Sequence, residues 1–258
     1  MTEFKRAAGD TRPLYLVSND DGVYAPGLQI LVECTQALGE VVVVAPDSNR
    51  SGFSNALTLD KPLRVTRTQL GYYAVSGTPA DCVHLALNGL LDEDPYRVIT
   101  GINAGANLGD DALYSGTIAG ATEGRFINRT CIAFSLAAHV PQHLETARAV
   151  VTELLARVET LALPPRTILN VNIPDIPLDA IRGYRITRLG HRHRAGDVIP
   201  TTDPRGHQVY WIGVAGEGDD AGPGTDFHAI ENKFVSITPL HADMTRHDVL
   251  GHLGEWLG

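Results

Sequence analysis

Apolar residues fall in short continuous runs along the first two thirds of the chain. Residues 14–17 (LYLV), 40–46 (EVVVVAP), 96–102 (YRVITGI), 131–137 (CIAFSLA) and 167–174 (TILNVNIP) show little polar alternation. Such runs predict strands buried on both faces. Between them the period changes to that of a helix. After Pro26 the apolar positions are Leu28, Leu31, Val32 and Leu38. Residues 80–91 (ADCVHLALNGLL) and 116–127 (GTIAGATEGRFI) read as helices, and Leu144, Ala147, Val151, Leu154, Val158 and Leu161 form one stripe over residues 143–161. Five strands alternating with helices predict an α/β fold, a Rossmann-like, doubly wound and mostly parallel sheet.

Two regions break the alternation. Residues 62–77 (PLRVTRTQLGYYAVSG) predict a β-hairpin around Gly71, and residues 183–240 hold the β-like pieces YRITRL, QVYWIGV and KFVSITPL between Gly, Asp and Pro. The second region is expected to be a β-rich extension that reaches over a site or joins subunits. Residues 1–13 form an N-terminal extension and 14–258 one domain; no repeat or linker marks a second.

Composition narrows the function. The 258 residues are 43% apolar, and 21 Lys and Arg stand against 30 Asp and Glu, a net charge of -9. Long-range attraction to a nucleic-acid polymer or an anionic membrane is not expected. Cys34, Cys82 and Cys131 sit in apolar segments, form no CxxC, and suit buried thiols in a reducing cytoplasm. Neither a signal peptide nor a membrane span is legible, so the match Asn128-Arg129-Thr130 carries no glycosylation meaning.

In an open parallel sheet ligands bind beyond the carboxyl ends of the strands. The first strand is followed by Asn19, Asp20, Asp21 and Gly22, the second by Asp47, Asn49, Ser51 and Asn55, and the third by Asn103, Asn107, Asp110 and Asp111. A plain turn would explain Asn19 to Gly22 alone. It would not explain oxygen-bearing side chains at two further strand ends. Two adjacent carboxylates become acceptable when a divalent cation lies between them, and an all-oxygen set favours Mg²⁺ or Mn²⁺ over Zn²⁺. Gly101, Gly105 and Gly109 allow close backbone approach to a ligand, and Ser115, Gly116 and Thr117 precede a short helix whose free N–H groups suit a phosphate.

The segments SNDDGVYAPG, VVAPDSNRSGFSNALTL, GTPADCV, GINAGANLGDDALYSGTIAGATEG, GPGTDFHAIENKFVSITPL and DMTRH together resemble the SurE (survival protein E) family of metal-dependent nucleotidases, from about Leu14 to the C-terminus. The resemblance implies hydrolysis of nucleoside 5′- and 3′-monophosphates, and in some members of short polyphosphate. It implies one divalent ion per subunit held by Asp20, Asp21, Ser51 and Asn103, with Asn107, Ser115, Gly116 and Thr117 facing the phosphate. It links Asp243 and His247 with catalysis, and it implies a homodimer or homotetramer that exchanges a C-terminal segment. Asp20 and His247 are both candidates for the proton acceptor. Ala106 stands where the family commonly has Pro, and Phe53 occupies a usually small position. A cap and a solvated surface histidine would also explain Asp243 and His247, and HRHR (191–194) reads as a surface or subunit-contact segment. A nucleotide-binding regulatory protein without turnover is the alternative function, separable by a phosphate-release assay.

Overall fold

The protein is described from a computed structural model that covers residues 4, 11–127 and 129–258. Most of the N-terminal extension, and Asn128 of the Asn-x-Thr match, lie outside the described residues. The elements run in the order β1 (Leu14–Ser18), α1 (Pro26–Gln36), β2 (Glu40–Pro46), β3 (Val65–Arg67), β4 (Tyr73–Val75), α2 (Pro79–Leu85), β5 (Arg97–Ala104), α3 (Gly116–Glu123), β6 (Cys131–Leu136), α4 (Leu144–Val158) and β7 (Ile168–Ile173). Then follow β8 (Tyr184–Ile186), β9 (His191–Arg192), β10 (Ile199–Thr202), β11 (Gln208–Trp211), β12 (Gly218–Asp220), α5 (Asp226–Glu231), β13 (Val235–Leu240) and α6 (Leu250–Leu257).

Nine strands form one mixed sheet in the order β3-β4-β2-β1-β5-β6-β7-β13-β8. The run from β4 to β7 is parallel, and the expectation of a doubly wound sheet holds. Alternation along β1 feeds two cores. Tyr15 and Val17 pack with Leu28 and Leu31 of α1 and Val151 and Leu155 of α4, while Leu14 and Leu16 pack with Cys82 and Val83 of α2 and Ile118 of α3. Both faces are therefore covered, and this is why the strand sequences are apolar throughout.

The regions that break the alternation belong to the sheet more than expected. The hairpin β3–β4 extends one edge, with β4 parallel to β2. β13 runs antiparallel to β7 and carries β8 at the other edge. Only β10–β11 and β9–β12 stand apart as two-stranded ribbons. α1 ends at Gln36 and α4 at Val158, so Leu38 and Leu161 lie just beyond the helices their stripes suggested. No helix among the described residues is long and apolar enough to cross a membrane.

The chain leaves β1 toward β2 on one side and later returns to β5 on the other. The crevice between the carboxyl ends of β1 and β5 is thus the topological switch point. Its loops are anchored from a distance. Asp226 is fully buried and accepts backbone N–H bonds from Gly109 (2.7 Å), Gly190 (2.9 Å) and Phe227 (3.0 Å). Asn107 receives side-chain bonds to its carbonyl from Asn170 and Asn172, and its own N–H donates to Asn172 Oδ1. Asp226→Asn turns an acceptor toward these N–H groups into a donor, and urea unfolding should show a loss of roughly 1–3 kcal/mol. An unchanged midpoint would mean that the loop is held by other contacts.

Candidate functional site

β1 delivers Asp20 and Asp21 to the switch point, and successive side chains diverge. Asp20 is only 3% exposed and turns toward α3, where the Thr117 hydroxyl donates to its Oδ1 at 2.5 Å. Gly116 is required by this approach: a Cβ there would lie 2.8 Å from Asp20 Cβ and 3.0 Å from its Oδ2. Ser115 caps α3 by accepting from the Ile118 N–H. Asp21 turns the other way, and its Oδ2 accepts the backbone N–H of Ala104 at 2.9 Å.

The loop after β2 closes a third side. Arg50 N–H donates to the Asp20 carbonyl at 2.7 Å. Asn49 Nδ2 lies 3.4 Å from Asp21 Oδ1, while Asn49 Oδ1 accepts the Ser51 N–H. Gly22, at φ +105° with Ser48 backbone 3.2 Å from a notional Cβ, allows the β1 loop to fit beneath it. Ser54 ties the same loop to Leu113 and Tyr114, next to Ser115. From β5, Asn103 is mostly buried and its Nδ2 donates to the Gly105 carbonyl, leaving Oδ1 as its acceptor. A cavity of about 370 Å³ opens beside Asp21 and Asn103, walled by Pro26, Ile102, Leu136 and Leu144.

Electrostatics make this arrangement costly by itself. Burial, opposed by the Thr117 hydrogen bond and reinforced by the neighbouring Asp21 charge, pushes the Asp20 carboxyl up to about 6. Burial also raises Asp21, against the bond from Ala104 N–H. Two carboxylates and the neutral oxygens of Asn103 and Ser51 suit a hard divalent cation. No cluster of three or more His, Cys, Asp or Glu that could hold a metal occurs among the described residues.

The family profile described as "Survival protein SurE" matches residues 15–196. The chain belongs to the SurE family. It is similar to the "5'-nucleotidase SurE" of Methylococcus capsulatus, 59% identical over 242 residues that cover 94% of this chain and 96% of that one. The protein of the same name from Pseudomonas aeruginosa UCBPP-PA14 is 53% identical over 243 residues, 94% and 98% of the two chains. The crystal structure of the SurE protein from Aquifex aeolicus matches with a TM-score of 0.83 at 41% identity, covering 95% of this chain and 100% of that chain.

Within this SurE chain the residues singled out in the sequence divide into two places. Asp20, Asp21, Ser51, Asn103, Ser115, Gly116 and Thr117 gather at the switch point. Asn107 lies on the adjoining loop, buried, with its Nδ2 donating to Ser135 Oγ at 2.7 Å. Asp243 and His247 are elsewhere. β13 pairs antiparallel with β7 so that Leu240 sits opposite Ile168, and Asp243 lines a cavity with Arg125 and Arg166. This is the amino edge of the sheet, roughly 20 Å from the switch point along a six-residue strand. The two side chains do meet, His247 Nε2 with Asp243 Oδ2 at 2.6 Å, but across a turn and not along a helix. The bond from His247 holds the Asp243 carboxyl well below the usual range.

Asp110, Asp111 and Asp47 are drawn away from the cluster. Asp110 meets His191 and the Arg192 N–H, Asp111 takes a bidentate Arg192, and Asp47 pairs with Arg50. HRHR therefore ties the 109–113 turn to the β9–β12 ribbon within the chain. His139, after β6, also reaches this edge, its Nδ1 3.4 Å from a notional Cβ on Gly105.

An acid whose folded pKa is raised adds stability below its unfolded pKa of about 3.9 and loses it as pH rises through about 6. Asp20→Asn should therefore stabilise the EDTA-treated protein at pH 7–8 by ~2 kcal/mol, and flatten the fall of melting temperature between about pH 4 and 6. A lower melting temperature at pH 7 would show that Asp20 is a net structural contact.

Proposed function

We propose that this chain is a 5′-nucleotidase, a phosphomonoesterase that releases phosphate from nucleoside 5′-monophosphates with the help of Mg²⁺ or Mn²⁺. The reading extends to 3′-monophosphates and short polyphosphate, whose terminal groups are the same phosphomonoester or phosphoanhydride chemistry. The observation that supports it most is that Asp20, packed against the first turn of α3, Asp21 and Asn103 are delivered together to the switch point by the ends of β1 and β5. The nucleotidase relatives, similar over nearly the whole chain, support the substrate class.

A divalent cation held by Asp20, Asp21, Ser51 and Asn103 would neutralise phosphoryl oxygens and acidify water. Ser115, Gly116 and Thr117 place backbone N–H groups and hydroxyls where the helix dipole favours an anion. Asn107, locked by Asn170, Asn172 and Ser135, keeps the opposing loop from shifting as the phosphate enters. Asp20, beside the cation, and His247, if the C-terminal arm is exchanged, are the candidate acceptors for the proton of the attacking water. Tyr24, Phe53 and Tyr114 are exposed and adjoin the site's loops in sequence, offering faces on which a base can stack.

Oligomerisation is part of the proposal. α6 exposes Leu250, Leu253, Trp256 and Leu257, and the second strand of the β10–β11 ribbon exposes Val209, Tyr210 and Trp211. Apolar patches of this kind mark protein interfaces. A homodimer or homotetramer that exchanges the C-terminal arm would bury them and could bring Asp243 and His247 to a site of another copy.

Phosphate release from nucleoside monophosphates should be abolished by EDTA and restored by Mn²⁺ or Mg²⁺, with Zn²⁺ a poor substitute. Asp21→Asn should lose at least about 10²-fold in kcat/KM at low Mn²⁺. Nucleotide binding without turnover under these conditions would refute the enzyme reading.

Tyr114→Ala should raise KM for nucleotides by roughly tenfold, yet leave β-glycerophosphate hydrolysis unchanged. Equal effects on both substrates would remove the ring from base recognition.

A further inference from the structure

The amino edge of the sheet, at the opposite end from the switch point, holds a second polar cavity. It measures about 310 Å³ and is lined by Arg97, Arg129, Thr130, Glu159, Pro164 and Pro165. Arg97 opens β5 and is only 2% exposed. One guanidinium nitrogen donates to the Thr130 carbonyl at 2.5 Å and another reaches Glu159 Oε1 at 3.3 Å. Its Nε is buried and meets no acceptor among the described residues. A buried guanidinium with five N–H groups and two bonds is under-satisfied, and leaving such a donor without a partner is costly. Arg129 stands beside it, its guanidinium 4.3 Å from the Tyr96 ring centroid, with no ion pair to a described carboxylate. In a chain of net charge -9, two arginines flanking one cavity are a local reversal of sign.

Glu159 sets the chemistry. The Tyr15 hydroxyl lies 3.5 Å from its Oε1, and burial together with the Glu159 charge pushes that hydroxyl up to about 12, so Tyr15 stays a donor. A fully ionised oxyanion entering beside Arg97 and Arg129 would meet the Glu159 carboxylate with no proton to offer. Hydrogen phosphate keeps a proton near neutral pH and can donate it to Glu159 while its other oxygens accept from the guanidinium groups. Sulfate cannot.

We propose that the cavity between Arg97, Arg129 and Glu159 is a binding site for a protonated phosphate group, selective for hydrogen phosphate over sulfate. The shared chemistry covers free orthophosphate and, below its second pKa of about 6, the protonated headgroup of a phosphomonoester. It does not depend on the switch-point cluster, which lies at the other end of β5.

Isothermal titration calorimetry on the intact protein in EDTA tests this, since two unshielded carboxylates at the switch point then repel phosphate. Orthophosphate should bind with one saturable site per chain, and Arg129→Ala, an exposed position, should weaken it at least about tenfold. Sulfate should give no saturable heat with the parent protein. Glu159→Gln, checked for an unchanged circular dichroism spectrum, should admit sulfate. An Arg129-dependent isotherm with AMP below about pH 6 would support a monoester headgroup as the bound form, whereas orthophosphate binding alone would support the free anion. No saturable phosphate heat up to ~10 mM, phosphate affinity untouched by Arg129→Ala, or sulfate binding as tightly as phosphate would each overturn the proposal.

Discussion

The contact between Asp20 and the first turn of α3 organises the carboxyl edge of this protein. A carboxylate that is 3% exposed, next to a second one, is unfavourable unless its oxygens are engaged. Thr117 supplies a hydroxyl at 2.5 Å, and Gly116 supplies the absence of a side chain. The remaining features follow from holding that pair in place: the capped start of α3, the β2 loop fastened to the Asp20 carbonyl, and the Ala104 N–H aimed at Asp21. Stability is given up locally so that two negative charges can stand side by side at the switch point, as functional sites often require.

A second layer makes the first rigid. Asn170 and Asn172 are fully buried in β7 and spend their amides on the backbone of Asn107. Asp226, far along the chain, does the same for Gly109 and Gly190. The loops that carry Asn107 and Gly109 are therefore fixed by the sheet and by α5, and their position does not rely on the exposed turns themselves.

The five central strands and their helices were legible because both faces of the sheet are covered, which leaves continuous apolar runs. The switch-point residues were legible for a related reason: each follows its strand within a few positions, and strand direction alone brings them to one edge. Asn170, Asn172 and Asp226 were missed because an asparagine within an apolar run, like a distant carboxylate, gives no local sign of the backbone it will bind. Asp110 and Asp111 also follow a strand end, and only the return of Arg192 shows where they are engaged. The placement of Asp243 and His247 depended on the direction of β13, antiparallel to β7, which no spacing in the sequence encodes.

The most direct measurement of the switch-point site is anomalous diffraction near the manganese edge from crystals of the intact protein grown with Mn²⁺ and a non-hydrolysable nucleotide analogue. The expected result is one anomalous peak per chain, in contact with Asp20 and Asp21, with the analogue's phosphate against Ser115, Gly116 and Thr117. A peak at His191 or His193, or no analogue phosphate against α3, would contradict the assignment.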